Sequence, residues 1–264
     1  MKTLAEFLAG PIRYSAFKDY SECPYKFASR YLAEKRFDNV NMAIGRTVEG
    51  IVNDALLGKV PTITLAGNNV RLHSEDGLVA YHPAKDILTM ALHGLMALNE
   101  LANTHKALPN PMLQRRLIAA LNFDGHKIRL QVTPDFVWEC QDGTILLADL
   151  KTCGSYSTWN EAKAMRDAQL NLYSAVISSL FKGAKVLAYY VCVNRTDFRT
   201  RTLPSASNPS EFMDKIYWAH QGMLAGRISE CVTSWQCTMC ELNGSCPQTI
   251  NKVVDSSELP ANDK

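Results

Sequence analysis

The sequence predicts an α/β fold in which a central mixed sheet is flanked by helices, with a helical N-terminal part. Apolar residues recur at helical spacing over residues 41–57 and 83–105. Further along, they alternate with polar residues at Ile128, Leu130 and Val132, which is typical of a strand. Strand-like runs follow on both sides of one long helical segment. This order of helices, hairpin, helix and strands indicates a layered α/β domain.

Each predicted element has a local signal. Residues 14–35 form a helical pattern that Cys23-Pro24 interrupts, because proline has no N–H to donate within a helix. Turn signals after the helix at 41–57 surround a short predicted strand at 62–65. The expected elements after residue 105 are a short helix over 112–121, strands over 128–132, 135–140, 144–150, 185–193 and 198–203, and a helix over 158–180.

Composition bounds the size and class of the protein. With 264 residues, 47% of them apolar, the chain can bury one large core. We expect residues 1–253 to form a single domain with a helical insertion at about 83–121, and residues 254–264 to form a disordered tail. The formal charge of +2 neither requires nor excludes a nucleic-acid partner. The absence of a long apolar run predicts a cytoplasmic protein with no membrane partner.

Two acidic residues and a lysine lie on adjacent predicted strands. The loop between these strands ends in Gly143, which suits the left-handed position of a three-residue hairpin turn. That turn places Asp135 opposite Asp149, and Lys151 shares the face of Asp149 because strand side chains alternate. A two-residue turn would move Asp135 to the other face. The three-residue turn therefore predicts that the three side chains converge.

This trio of side chains suits phosphodiester hydrolysis. Two partly buried carboxylates repel each other unless a divalent cation lies between them, and oxygen ligands of this kind suit Mg²⁺ or Mn²⁺. The carbonyl of Leu150 is a further expected ligand. Such a metal polarises a phosphate oxygen and lowers the pKa of bound water, while the ammonium group of Lys151 orients that water or stabilises developing charge.

Taken together, Pro134-Asp135, Asp149-Leu150-Lys151 and the later Gln169 and Tyr173 resemble the PD-(D/E)xK nuclease superfamily, in its RecB-like exonuclease branch. The resemblance implies a restriction-endonuclease-like core and catalytic roles for Asp135, Asp149, Lys151, Gln169 and Tyr173. Gln169 and Tyr173 stand four residues apart and so share one helix face. Each residue alone also fits an ordinary surface position, so the resemblance depends on their combination and order.

Glu49 stands where the family often has a histidine ligand, four residues after a glycine, here Gly45. A carboxylate is also a hard oxygen ligand, and related phage-type exonucleases resemble this variant. The resemblance therefore implies a metal site formed by Glu49, Asp135, Asp149 and Leu150. The alternative is a glutamate on a helix surface, and the departure leaves the metal preference open.

Three cysteines form a compact C-x2-C-x5-C run at Cys237, Cys240 and Cys246. This spacing fits thiolate ligands of either zinc or an iron-sulfur cluster. RecB-like nucleases with such a cluster have one early and three late cysteines, so the resemblance implies a 4Fe-4S cluster completed by Cys23. Zinc held by the same four cysteines is the alternative. The other four cysteines are expected to be structural.

Several basic and aromatic side chains are candidates for nucleic-acid contacts. Lys26 and Arg30 lie at helical spacing beside the early cysteine, and Tyr156 and Arg166 follow the strand that carries the lysine. Such groups bind phosphates or stack on unpaired bases, although a solvated helix face explains them equally well. The chain contains neither a Walker A sequence, which argues against a nucleotide cofactor, nor the H-E-x-x-H spacing of a zinc hydrolase.

The sequence therefore predicts a Mg- or Mn-dependent DNA nuclease, most simply an exonuclease. The resemblance extends to nucleases of CRISPR adaptation and of the AddB type, and to phage-encoded and recombination or repair enzymes. The expected partner is DNA with a free end or a single-stranded region, and protein partners or an oligomer are compatible with this interpretation. The alternatives are a nucleic-acid-binding adaptor that keeps the nuclease fold without turnover, and a zinc-stabilised structural module.

Overall fold

A computed structural model describes residues 2–34, 39–61, 63–73, 79–123, 125–157, 159–205, 210–232, 237, 240, 242 and 245–247. The predicted tail at 254–264 and much of the segment around the late cysteines lie outside these residues. The chain divides into two compact units, one formed by residues 1–37 and 215–264 and the other by residues 38–214. The single-domain organisation of residues 1–253 stays a prediction.

The first unit is largely helical in its N-terminal part. Its elements are α1 (Leu4–Ala9), β1 (Ile12–Arg13), α2 (Tyr14–Glu22), α3 (Pro24–Phe27), a π-helical turn (Ala28–Leu32) and most of α8 (Ser210–Leu224). The predicted break at Cys23-Pro24 is confirmed, because Cys23 is extended and separates α2 from α3. Phe27 is fully buried and packs edge-on against Phe7 and Tyr20.

The second unit contains the sheets. Its helices are α4 (Val40–Leu56), α5 (Ala84–Thr104), α6 (Glu161–Arg166) and α7 (Ala168–Leu180). Its strands are β2 (Leu65–Ala66), β3 (Asn69–His73), β4 (Val79–Pro83), β5 (Met112–Leu113), β6 (Leu117–Phe123), β7 (His126–Val132), β8 (Phe136–Glu139), β9 (Ile145–Cys153), β10 (Val186–Asn194) and β11 (Thr200–Pro204). The mixed α/β fold with sheets flanked by helices is thus confirmed.

The principal sheet has five strands in the order β11-β10-β9-β8-β5. The pair β9 and β10 is parallel, whereas β8 with β9, β10 with β11 and β5 with β8 are antiparallel. A parallel pair needs a long crossover, and α6 and α7 provide it here. Two smaller antiparallel arrangements accompany this sheet: β2, β3 and β4 pair in sequence, and β6 pairs with β7.

One face of the principal sheet packs against α4 and α5 and forms the core of this unit. Leu146, Ala148 and Leu150 of β9 and Val191 and Val193 of β10 are buried there with the apolar residues of both helices. A Cβ at Gly94 of α5 would lie 3.2 Å from Leu150 Cδ1, so this glycine permits close packing of α5 on the sheet. Successive strand side chains point to opposite faces, so Asp149 and Lys151 lie on the other face.

Two predicted helices are wrong in part. Residues 112–121 are not helical but contain β5 and the start of β6, whose seven residues pair with β7 from Leu117–Val132 to Phe123–His126. The run of leucine and alanine in β6 favours a helix locally, and strand pairing overrides that preference. The helical insertion at about 83–121 is therefore confined to α5. The strands β3 and β4 were not expected.

The expected helix over 158–180 is likewise two helices. Asp167 interrupts it with an extended backbone and caps α7 by accepting a hydrogen bond from the N–H of Gln169 at 2.8 Å. Aspartate is a preferred N-cap because its carboxylate satisfies an N–H that has no partner within the helix. Because the backbone is extended at Asp167, α6 and α7 are separate helices.

Candidate active site

The hairpin between β8 and β9 has the expected three-residue turn. Gly143 has a φ of +78° and its N–H donates to the Cys140 carbonyl, while the Cys140 N–H donates to the Thr144 carbonyl. The ladder then runs from Glu139 opposite Ile145 to Phe136 opposite Ala148. The predicted register is confirmed, and continuing it by one residue sets Asp135 opposite Asp149.

Asp149 lies at the centre of the site and is completely buried. Its Oδ2 atom is 2.5 Å from Nζ of Lys151, which is on the same face of β9. Its Oδ1 atom accepts a hydrogen bond of 2.9 Å from the side-chain amide of Gln169 on α7. The same amide nitrogen is 3.3 Å from the hydroxyl of Tyr173, one helical turn further. The structure thus brings together four of the five predicted catalytic side chains.

Asp135, the fifth, joins the site from the other strand of the hairpin. Its Oδ2 accepts a hydrogen bond of 3.0 Å from the backbone N–H of Leu150. The carboxyl group of Glu49 lies close enough for its charge to raise the pKa of Asp135. Glu49 therefore lies at the site, and its role as a metal ligand stays a prediction.

Glu49 reaches the site because α4 approaches the end of β9 closely. Gly45, one helical turn earlier, faces Thr152, and a Cβ at this glycine would lie 3.3 Å from the threonine Oγ1. That distance is tighter than ordinary van der Waals contact, so the glycine lets the helix lie against the strand. The Gly45–Glu49 spacing noticed in the sequence thus has a packing explanation.

Gln114 is a site residue that sequence reasoning missed. Its side-chain amide donates a hydrogen bond to Oε1 of Glu49, and its backbone N–H donates to the Asp135 carbonyl at 3.1 Å. Its φ of +43° lies in the left-handed region, which is uncommon for residues other than glycine. It immediately follows β5, which was predicted as helix, so no pattern in the sequence marked it.

Tyr190 and Asp167 link the site to α7 and were also not predicted. Tyr190 lies opposite Asp149 on β10, is fully buried, and donates a 2.6 Å hydrogen bond to Oδ1 of Asp167. Its ring centre is 5.9 Å from Nζ of Lys151. The N-cap motif of Asp167, two residues before Gln169, was the available signal. Tyr190 thus ties the strand beside Asp149 to the start of the helix that carries Gln169.

Burial of several acidic groups together raises their pKa values. Burial, together with the charge of Asp135 and against the opposing effect of Lys151, raises the pKa of Asp149 to about 7. Burial and the neighbouring Glu49 raise the pKa of Asp135 to about 7. Burial likewise raises the pKa of Glu49. Near neutral pH the site therefore lacks the positive charge that would keep all three carboxyl groups ionised.

Lys151 is charged in this environment. Burial by itself would lower its pKa, but the carboxylates of Asp149 and Asp135 outweigh burial and raise the pKa above its ordinary value. Its side chain keeps 28% of its surface exposed. The ammonium group can therefore meet a substrate while it remains paired with Asp149.

The donor chemistry of the site fits a hard divalent cation. Glu49, Asp135 and Asp149 offer carboxylate oxygens, and a cation would relieve the repulsion that raises their pKa values. Among the residues that the structure describes, however, no three His, Cys, Asp or Glu side chains are grouped as ligands of one metal ion. Each carboxylate is instead engaged by Gln114, Leu150 N–H, Gln169 or Lys151. The role of the Leu150 carbonyl stays a prediction.

The predicted cluster cysteines all belong to the first unit. None of the eight cysteines, all of which are described, forms a disulfide. Cys246 Sγ lies 3.8 Å from Cys231 Sγ. The backbone N–H of Cys240 donates a hydrogen bond of 3.3 Å to the carbonyl of Cys237. Cys23 Sγ is 3.9 Å from the carbonyl of Glu230, the residue before Cys231. Cys231, which was expected to be structural, is thus near predicted ligands.

The predicted nucleic-acid contacts are not equivalent. Lys26 and Arg30 form ion pairs with Asp19 at 3.4 Å and 3.0 Å, so their charges are largely compensated within the first unit. Tyr156, which follows β9, is half-buried, and the guanidinium group of Arg201 lies over its ring. Arg166 is exposed in the last turn of α6.

Comparison with known proteins identifies the family. No curated protein is significantly similar in sequence to this chain. The crystal structure of SSO0001 resembles the fold with a TM-score of 0.47 and 13% identity, over 93% of this chain and 92% of the other. In the part of the chain that is described, no helix is long and apolar enough to cross a membrane. The PD-(D/E)XK nuclease superfamily model matches residues 12–247. The chain therefore belongs to the PD-(D/E)XK nuclease superfamily.

Proposed function

We propose that this protein is a Mg²⁺- or Mn²⁺-dependent DNA nuclease that acts as an exonuclease of the RecB-like branch. Membership of the superfamily implies a metal-dependent nuclease. The observation that best supports the proposal is the convergence of Asp135, Asp149 and Lys151 on one sheet face, with Glu49 beside Asp135. A cytoplasmic location and a DNA substrate with a free or single-stranded end belong to the same proposal.

The residues of the chain divide the work of hydrolysis. Glu49, Asp135 and Asp149 would hold the cation, with the Leu150 carbonyl as a further ligand. The cation would polarise a phosphate oxygen and lower the pKa of water. Lys151 keeps its charge next to Asp149 and is placed to orient the attacking water or to stabilise negative charge on the phosphate. Gln169 orients Asp149, and Tyr173 supports Gln169.

Cleavage of end-labelled single- and double-stranded DNA with Mn²⁺ tests this proposal. Asp149→Ala and Lys151→Ala are expected to lower the cleavage rate on the order of 10³-fold, because the first removes a ligand of the cation and the second removes positive charge beside the reacting phosphate. Glu139→Ala is the matched control, since Glu139 is exposed at the far end of β8. Full activity in both active-site variants would overturn the assignment.

The products of the same assay separate the remaining alternatives. Release of mononucleotides or short fragments from one labelled end is expected of an exonuclease. Internal cuts in a circular substrate would instead indicate an endonuclease. Binding of DNA without cleavage under any divalent metal would favour the adaptor, in which the departure at Glu49 accompanies loss of turnover.

We further propose that Cys23, Cys237, Cys240 and Cys246 hold a 4Fe-4S cluster. Cys23 lies near the backbone that leads to the late cysteines, because Tyr25 N–H donates to the Glu230 carbonyl at 3.0 Å. Iron, sulfide and zinc are to be measured after anaerobic purification. Equal iron and sulfide that are lost in Cys240→Ser would support the cluster. Stoichiometric zinc in colourless protein would replace it with the zinc alternative.

A further inference from the structure

Two cations beside the proposed active site rest on aromatic rings. The guanidinium carbon of Arg201 lies 4.2 Å from the ring centre of Tyr156, and Nζ of Lys163 lies 4.3 Å from the ring centre of Trp159. Both aromatic residues belong to the connection between β9 and α6. We call Tyr156, Trp159, Lys163 and Arg201 the aromatic–cation surface. An aromatic ring positions a cation without cancelling its formal charge.

The aromatic–cation surface is continuous with the catalytic residues. Nζ of Lys151 lies 5.9 Å from the ring centre of Tyr190, and the ring centres of Tyr190 and Trp159 are 4.6 Å apart. Trp159 in turn carries Lys163. A chain of direct side-chain contacts therefore leads from the catalytic lysine to this second cation.

Arg201 reaches the same face by a separate path through the sheet. Cys192 on β10 pairs with Lys151 on one side and with Arg201 on the other. Directly paired residues lie on the same face, so Arg201 is two strands away from Lys151, at about 10 Å between their Cα atoms. Its side chain is exposed, whereas Cys192 between them is buried.

These two cations differ from the neighbouring Arg199 in their charge balance. Arg199, two residues before Arg201, lies 3.7 Å from the carboxylate of Asp197. Within the described ranges, no carboxylate lies within the 4.0 Å of an ion pair from either Arg201 or Lys163. Their positive charge is therefore available to a polyanion, while that of Arg199 is partly compensated.

A cleft opens next to Arg201 between α6 and β11. Its volume is about 670 Å³, and Asn160, Glu161, Ala162, Arg201, Thr202 and Leu203 line it. The cleft is large enough for a nucleotide unit, since small-molecule sites span roughly 300–1,000 Å³. Glu161 would repel a phosphate placed deep inside, so Arg201 and Lys163 are expected to hold phosphates outside the cleft.

We propose that Arg201 and Lys163 bind two backbone phosphates of the nucleic-acid strand that is cleaved at Lys151. The proposal rests on the proposed nuclease function, because it assumes that the scissile phosphate lies at Lys151. The nucleic-acid strand then runs from Lys151 across β10 and β11 toward α6. Tyr156 and Trp159 act as positioning residues that hold the two cations in place.

Binding of a labelled single-stranded oligodeoxynucleotide without divalent metal tests the proposal separately from cleavage. Fluorescence anisotropy over a range of salt concentrations compares the wild-type chain with the double variant Arg201→Gln and Lys163→Gln. Each lost phosphate contact on a single strand reduces the slope of log K against log salt by about 0.7, so we expect a decrease of about 1.4. Affinity at moderate salt is expected to fall about tenfold.

Matched variants separate specific contacts from a general loss of charge. Arg199→Gln with Lys127→Gln removes two charges at exposed positions, one paired with Asp197 and one on β7, and is expected to leave the slope nearly unchanged. Arg201→Lys with Lys163→Arg keeps the charges and is expected to retain most of the slope. Circular dichroism checks that each variant is folded.

The outcomes distinguish this proposal from the proposed function. An unchanged slope in the double variant, an equal decrease in the matched control, or no binding of DNA by the wild-type chain would overturn the path assigned here. A decrease confined to the double variant supports it. If that decrease occurs while the wild-type chain fails to cleave DNA with Mn²⁺, the nuclease proposal fails and the phosphate contacts remain.

Discussion

The two faces of strand β9 use the same backbone for opposite purposes. Leu146, Ala148 and Leu150 point into the core against α4 and α5, where they pack with other apolar residues. Asp149 and Lys151 alternate with them and point to the other face, where one group is completely buried and the other partly. The first face stabilises the fold by removing apolar area from water, whereas the second buries charge that opposes folding.

The charged face, unlike the apolar face, depends on residues that are distant in the sequence. The apolar face needs only side chains of suitable size, and many sequences satisfy that requirement. The charged face needs residues from three separate parts of the chain. Gln169 donates to Asp149 and lies against Tyr173, while Gln114 donates to Glu49. Rigid packing on one face thus holds the polar network on the other.

A substitution on the apolar face is expected to have the largest effect on stability. Leu146→Ala removes a fully buried side chain and should lower the free energy of unfolding by about 2–5 kcal/mol, measured by urea denaturation. Leu88→Ala on α5 is the control, because Leu88 is 45% exposed. Cleavage per folded molecule should be unchanged. A selective loss of activity without loss of stability would break the division between the two faces.

A substitution on the charged face is expected to act in the opposite direction on stability. In the metal-free protein, the pKa of Asp135 is raised from 3.8 to about 7, so its protonated form suits the folded state. The associated stability is complete below pH 3.8 and is lost as the pH rises through about 7. Asp135→Asn should therefore weaken the pH dependence over this range and stabilise the protein at pH 8 by roughly 2 kcal/mol.

Thermal melting in a chelator at several pH values measures this effect. Asp142→Asn on the exposed hairpin turn is the control, because hydrogen bonds with Thr144 lower the pKa of that carboxyl group instead. Glu49 and Asp149 are expected to retain part of the pH dependence in the Asp135 variant. Lower stability of Asp135→Asn at pH 8 would show that burial of this charge is not costly.

Gln114 provides a test of the charged face, because its side chain donates to Glu49 and its backbone N–H donates to Asp135. Gln114→Ala is expected to lower activity or metal affinity about 10–100-fold, as loss of a residue that orients metal ligands does. Titration of the cleavage rate with Mn²⁺ measures it. Lys106→Ala is matched in backbone conformation, with a φ of +50°, and should have little effect. Equal effects of both variants would assign the loss to the backbone.

Tyr173→Phe is expected to have the smallest effect. The variant removes a hydroxyl group 3.3 Å from the Gln169 amide and leaves the buried ring in place. Loss of one such hydrogen bond costs about 0.5–1.5 kcal/mol, so the cleavage rate should fall about two- to tenfold. Tyr189→Phe, which is outside the site, is the control for steady-state cleavage kinetics. A loss as large as that of Lys151→Ala would place Tyr173 among the reacting groups.

The features that depend on local chemistry could be predicted from the amino-acid sequence. Gly143 specifies the left-handed end of a three-residue turn, and this turn sets the register that pairs Asp135 with Asp149. The spacing of Gln169 and Tyr173 likewise specifies one helix face. The family and the mixed α/β class followed from these motifs and from the order of the elements.

The features that depend on long-range pairing could not be predicted and are seen only in the folded chain. Residues of β6 favour a helix locally, yet pairing with β7 makes them a strand. Gln114 reaches Glu49 from 65 residues away, and Arg201 joins the row of Lys151 only through β10. Such contacts arise when separate segments bury a common surface, and a local sequence pattern contains no record of which segments will meet.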